Sequence, residues 1–166
     1  MPDAQLVITG RQDDADYLTQ VRELIAALGL TDAVQLAGMI PETDLRGWYQ
    51  GADVFALPSL NVGARFEGFG LVFLEASACG LPVVGTTGSG VEEAVLADET
   101  GLLVPQDDPG ALADAITRLL LDADLRARMG AAGREYARAQ DWAQIAARMV
   151  ASVSYTHLRA HETKAN

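Results

Sequence analysis

Glu67 and Glu75 stand on either side of Gly68-Phe69-Gly70 and the apolar run Leu71-Val72-Phe73-Leu74. A helix that starts near Gly70 would present free backbone N–H groups and the positive end of its dipole to whatever lies over the loop, a setting that suits a phosphate. Helical side chains lean toward the N-terminus, so Glu75, although inside the helix, reaches back toward the same place. One short stretch therefore has the parts to hold a diphosphate by its amides, one sugar ring by Glu67 and a second by Glu75. The acids alone prove little. The chain carries 23 acidic residues, and glutamate near a helix start is favoured by the dipole in any case.

The elements that must position this stretch alternate along the chain. Leu6-Val7-Ile8-Thr9-Gly10 reads as a short buried strand, and the apolar spacing from Asp13 to Leu28 as a helix stopped by Gly29. A second strand is expected at 34–37, then a helix opened by Pro41 and Thr43-Asp44 that carries Leu45, Trp48 and Tyr49. Strands at 54–57, 82–85 and 101–104 alternate with helices at 71–79 and 90–96. Asp107-Asp108-Pro109 begins a helix with an acidic N-cap and a proline in the first turn, and Leu112, Ile116 and Leu119 are expected to face the core. Further helices are expected at 125–139, interrupted around Gly130 and Gly133, and at 142–150. Wholly apolar strands at this rhythm imply an α/β fold, a doubly wound, Rossmann-like parallel sheet covered on both faces. In such a sheet ligands bind at the carboxyl ends of the strands, where Gly10, the Met39-Ile40 turn, the Ser59–Gly70 loop and the Gly85–Gly90 loop would gather.

Composition narrows the chemistry. At 166 residues and 49% apolar the chain can bury a sizeable core without a disulfide or metal, and no apolar run approaches the length of a membrane span. No signal peptide is visible, and cytoplasm is the expected compartment. A net charge of −11 with scattered basic residues opposes a nucleic-acid partner. The single cysteine, Cys79, rules out an intrachain disulfide and is expected to be a small buried residue. Both histidines, His157 and His161, lie in the last stretch of the chain, so a histidine-based triad or zinc site would have to recruit that tail. Carboxylates, hydroxyls, arginines and backbone remain.

Three long runs carry a resemblance: ADVFALPS (52–59), EGFGLVFLEASACGLPVVGTTGSGVEEAV (67–95) and TGLLVPQDDPGALADAI (100–116). Over residues 5–152 the chain resembles the donor-binding, C-terminal half of retaining GT-B glycosyltransferases, and within them the large family four, the group 1 glycosyl transferases. The resemblance implies transfer of a hexose from a nucleotide-diphosphate sugar with retention at the anomeric carbon, without a metal or other cofactor. It implies that Glu67 works at the donor hexose and Glu75 at the ribose hydroxyls. Backbone of Gly68, Phe69, Gly70, Leu71 and Val72 would meet sugar hydroxyls and diphosphate, with Gly10, Met39 and Ile40 completing the donor site. An acceptor sugar, lipid or small molecule would be held by an N-terminal lobe that precedes the first strand here, together with a basic Arg-x4-Lys-Gly segment, and peripheral membrane contact would run through that lobe. Residues 1–153 are then the donor domain, and 154–166 resemble a non-native or disordered tail.

Several features depart from this picture or compete with it. Gly85-Thr86-Thr87-Gly88-Ser89-Gly90 follows a strand, but its order is G-x-x-G-x-G rather than the dinucleotide fingerprint, so it reads as a turn needing glycine dihedrals. Asp14-Ala15-Asp16 and Asp122-Ala123-Asp124 match a metal-holding D-x-D pattern, yet both sit at expected helix starts where carboxylates are favoured. Arg11 and Arg65 are the basic residues nearest the site. The insertion 61–66 before Glu67 leaves the path of the loop open. A nucleotide-sugar epimerase and a non-catalytic nucleotide-sugar binding module are the rival functions.

Overall fold

The computed structural model describes residues 3–141 together with 143, 144, 146 and 150. The expected helix at 142–150 falls largely outside the described residues. The tail at 154–166, with His157 and His161, lies wholly outside them. The elements alternate as the pattern requires: β1 (Leu6–Thr9), α1 (Ala15–Ala27), β2 (Val34–Gly38), α2 (Glu42–Gly51), β3 (Phe55–Ala56), α3 (Leu71–Ala78), β4 (Val83–Thr86), α4 (Val91–Ala94), β5 (Gly101–Val104), α5 (Pro109–Leu121) and α6 (Ala123–Ala139). All strand pairs are parallel, β1 with β2 and the order β3-β4-β5. The chain divides into two compact units, residues 1–48 and the part from Tyr49 onward.

In the first unit, Leu6 pairs with Val34 and Thr9 with Gly38, which sets Gly10 and Met39 side by side at the carboxyl edge. The Gly10 amide donates to the Gly38 carbonyl at 2.9 Å. Asp14 caps α1, its Oδ1 accepting from the Tyr17 amide at 2.9 Å, so this half of the first D-x-D triplet serves as a helix cap. The expectation that β1 is buried is not met. Every residue of the strand is exposed, Leu6 at 53% and Ile8 at 39%. An apolar strand is covered only where elements pack on its faces, and among the described residues β1 has β2 as its one strand neighbour.

The second unit shows the buried parallel arrangement that the sequence implies. All four residues of β4 are buried between β3 and β5. Val84 joins Leu102, Val104, Ala115, Leu119, Leu125 and Met129 in one cluster, with Leu112 and Ile116 packed against it. Residues along a strand alternate between faces, so Val83 and Gly85 point the other way, where a side chain on Gly85 would run into Val91 and Phe73. Asp108 caps α5 by accepting from the Ala111 amide at 2.9 Å, and Pro109 occupies the first turn. Asp122 caps α6 in the same way, accepting from Leu125 at 2.8 Å.

Helix α6 is continuous, contrary to the interruption expected at Gly130 and Gly133. Those glycines are buried at a crossing with α3. A Cβ on Gly130 would overlap the Gly80 carbonyl oxygen, and one on Gly133 would press on Ser77. They allow close approach of the two helices and do not break the helix. Cys79, at the C-cap of α3, is half-buried, not enclosed as expected, because the helix end is partly open to solvent.

Candidate functional site

The geometry of the site begins with Gly70. Its φ of +78° and ψ of 60° lie in the left-handed region, and a Cβ there would sit 2.6 Å from Phe73 Cδ2. Glycine is the residue that adopts this conformation without strain. The turn it makes starts α3 at Leu71, and Phe73 donates back to the Gly70 carbonyl at 2.9 Å. The amides of Leu71 and Val72 precede the first intrahelical bond and have no acceptor among the described residues. Leu71 is exposed and Val72 and Phe69 are half-buried, so this junction is at the surface.

Two neighbouring loops hold the junction. The Gly90 amide donates to the Glu67 carbonyl at 3.0 Å, and a Cβ on Gly90 would overlap the Gly68 carbonyl oxygen. Glu67 itself is half-buried, with its Cγ close beside Gly70. In the Gly85–Gly90 loop only Gly88 has a positive φ, so the expectation of a turn needing glycine dihedrals holds at that position alone. Gly85 and Gly90 are glycines because of what approaches them. The insertion before Glu67 also has a defined path. Val62 and Arg65 form a short antiparallel bridge, donating to each other's carbonyls at 2.9 and 3.0 Å. Gln106 Oε1 accepts from the Asn61 amide at 2.7 Å while its Nε2 donates to the Thr87 carbonyl at 2.7 Å, and Asn61 Nδ2 donates to the Gly88 carbonyl at 2.8 Å. Thr86 Oγ1 donates to the Ser59 carbonyl at 2.7 Å. The loops following β3, β4 and β5 are thereby sewn together at the carboxyl edge of their sheet.

Glu75 lies one turn into α3 and is exposed, and its Oε2 accepts from the Tyr49 hydroxyl at 3.1 Å. Burial, with the Glu75 charge and hydrogen bond and a smaller contribution from Cys79, raises the Tyr49 phenol well above its ordinary value. The ring is fixed edge-on to Phe55 at 5.7 Å, and Phe55 edge-on to Phe73 at 5.5 Å. Tyr49, Asn61 and Gln106 were not legible as site residues. Glu75 and Tyr49 are separated by 26 positions, and nothing in the local pattern links them.

The remaining expected residues are distributed as follows. Gly68 and Gly70 lie with Glu67 in the second unit, while Gly10, Met39 and Ile40 lie at the carboxyl ends of β1 and β2 in the first, with Met39 69% exposed and Ile40 half-buried. Arg11 faces Asp13 at 3.8 Å, both largely exposed. Arg65 is exposed and shares backbone bonds with Val62. Among the described residues no three His, Cys, Asp or Glu side chains are grouped to hold a metal ion. No described helix is long and apolar enough to cross a membrane.

A parallel α/β unit whose glycine-bent loop opens a helix at the carboxyl edge of the sheet defines a class that binds anionic ligands there. Residues 1–136 match the family described as Glycosyl transferases group 1, and the chain belongs to that family. It is 41% identical over 149 residues to the GDP-mannose-dependent alpha-(1-6)-phosphatidylinositol monomannoside mannosyltransferase of Mycobacterium tuberculosis (strain ATCC 25618 / H37Rv), covering 88% of this chain and 38% of that protein. It is 41% identical over 145 residues to the D-inositol 3-phosphate glycosyltransferase of Corynebacterium jeikeium (strain K411), covering 85% of this chain and 33% of that protein. Among solved structures, sucrose-phosphate synthase from Thermosynechococcus elongatus superposes with a TM-score of 0.78 at 35% identity, over 97% of this chain and 40% of the other. Anabaena Alr3699/HepE in complex with UDP does so with a TM-score of 0.80 at 25% identity, over 93% and 42%. The chain thus spans about two-fifths or less of the length of these relatives. The fold is that of one Rossmann-like half of a GT-B enzyme.

Proposed function

We propose that residues 1–153 form the donor-binding part of a cytoplasmic, retaining glycosyltransferase, which moves a hexose from a nucleotide-diphosphate sugar to an acceptor held by a lobe outside this sequence. The observation that carries the reading is the left-handed Gly70 turn, which leaves the Leu71 and Val72 amides open beside Glu67. These donors are fixed before any ligand arrives, and they aim at the place where charge would gather on a departing diphosphate. Glu67 would fix the hexose and Glu75 the ribose. The mannosyltransferase relative is described as GDP-mannose-dependent, and the HepE structure holds UDP, which supports a nucleotide-linked donor.

Metal-independent chemistry is part of the proposal. The first aspartates of the two D-x-D triplets, Asp14 and Asp122, have an oxygen engaged in capping α1 and α6, which supports a structural role for them. No side chain at the junction is placed as an obvious nucleophile, in keeping with departure and attack on one face of the sugar. The acceptor, a sugar, lipid or small molecule, and any peripheral membrane contact belong to the remaining lobe, and residues 154–166 are a non-native tail. Because the chain covers a minor part of its relatives, the polypeptide by itself is a binding module that turns nothing over.

The test uses two proteins. The chain alone, titrated calorimetrically with UDP-, GDP- and ADP-hexoses, is expected to bind one of them weakly and release no product. In the full-length parent, Glu67→Gln is expected to lower kcat by about 100-fold or more, while Glu75→Gln chiefly raises the donor KM. Wild-type rates and affinities in both variants would overturn the assigned roles, and epimer formation without transfer would overturn the reaction.

A further inference from the structure

We infer that Tyr49 is a positioning residue for the nucleoside end of the donor: its hydroxyl fixes Glu75 Oε2, leaving Oε1 as the oxygen that meets the ribose diol. The inference rests on the donor-site reading above and deepens it. An exposed glutamate on a helix samples several rotamers, and a ligand that needs one of them must bear the cost of ordering it. Here that ordering precedes the ligand, since the Tyr49 hydroxyl donates to Oε2 at 3.1 Å.

Tyr49 can act this way because it is itself held. It is 9% exposed, and its ring meets Phe55 edge-on at an interplanar angle of 69°, while Phe55 meets the fully buried Phe73 at 83°. Phe73 is also the side chain that lies against Gly70. The same aromatic row therefore fixes the Gly70 turn and the carboxylate one helical turn further along. A diphosphate on the amides and a ribose on Glu75 would be registered against each other by packed rings beneath both.

The position invites a clean variant. Tyr49→Phe keeps the ring and its packing, removes only the hydroxyl, and leaves an exposed carboxylate that water can solvate, so folding should be preserved. Calorimetric titration of the chain with UDP, GDP and ADP identifies the nucleotide, and its 2′,3′-dideoxy counterpart then serves as the ligand without a diol. Wild type is expected to prefer the ribose form by about tenfold or more, and Glu75→Gln to lose that preference. Tyr49→Phe is expected to weaken the ribose form about three- to tenfold and leave the dideoxy form unchanged. An undiminished ribose preference in Tyr49→Phe, or equal weakening of both ligands, would reduce Tyr49 to a packing residue and overturn the inference alone. A wild-type chain that binds none of the three diphosphates would overturn the donor site itself, and the inference with it.

Discussion

Strands β1 and β4 have nearly the same sequence character, LVIT against VVGT, and opposite surroundings. Each is a parallel strand that delivers a loop to the carboxyl edge of its sheet. Yet β4 lies between β3 and β5 with every residue buried, whereas among the described residues β1 pairs with β2 alone and every residue of it is exposed. Apolar character records what a strand is suited to, while burial depends on what packs against it. The loops show the same difference. The Gly85–Gly90 turn after β4 is locked to the Glu67 loop by backbone contacts, whereas Gly10 after β1 is held by the hydrogen bond its amide donates to the Gly38 carbonyl.

The contrast can be broken most directly by charge. Val84→Asp places a carboxylate in a sealed apolar cluster and is expected to cost about 4 kcal/mol or more, enough to unfold the second unit. Ile8→Asp on the exposed strand should cost less than about 1 kcal/mol. Urea denaturation of both variants checks this, and equal losses would mean that β1 is covered in solution. A smaller effect separates the two turns. Gly90→Ala forces a methyl into the Gly68 carbonyl and should cost about 3 kcal/mol and abolish nucleotide binding, while Gly10→Ala meets no neighbouring atom and should cost about 1 kcal/mol through its φ of +128° alone. Thermal melts with and without nucleotide distinguish them.

Gln106→Ala sharpens the account of the stitched edge. Losing its bonds to Asn61 and Thr87 is expected to cost about 1–2 kcal/mol and to speed tryptic cleavage after Arg65. Unchanged cleavage there would show that the insertion holds its path without this residue. The smallest effect is one of pH. The folded Tyr49 phenol is raised above its unfolded value of about 10, mainly by burial, so its contribution is complete below that pH and is lost as the pH climbs above it. Between pH 9 and 11 the wild-type melting temperature should therefore fall more steeply than that of Tyr49→Phe, and parallel curves would contradict the buried phenol.

Much of the second unit was legible because local chemistry and global packing agree there. Asp108-Pro109 starts α5 where capping chemistry places it, and Leu119 faces the core as its spacing implies. The glycine pattern at 68–70 signalled a helix start with open amides. Other features were hidden because they depend on partners distant in sequence. Gly130 looked like a helix breaker, since only the approach of Gly80 from another segment explains it. Tyr49 reads as an amphipathic helix residue until Glu75 is placed beside it, and Gln106 as an ordinary loop amide until Asn61 and Thr87 arrive.

The crossing of α6 over α3 also decides how short a working piece of this protein can be. The proposed donor motifs are complete by residue 75, but α3 rests at Ser77 on Gly133 and the turn that follows it rests at Gly80 on Gly130, both in α6. A fragment cut before Ala123 would retain every residue proposed to face the donor and lose the backing that keeps α3 in place. On the proposed reading, the shortest piece able to hold a nucleotide is set by its support helix, and trimming to the signature alone should yield a peptide that carries the motif without its grip.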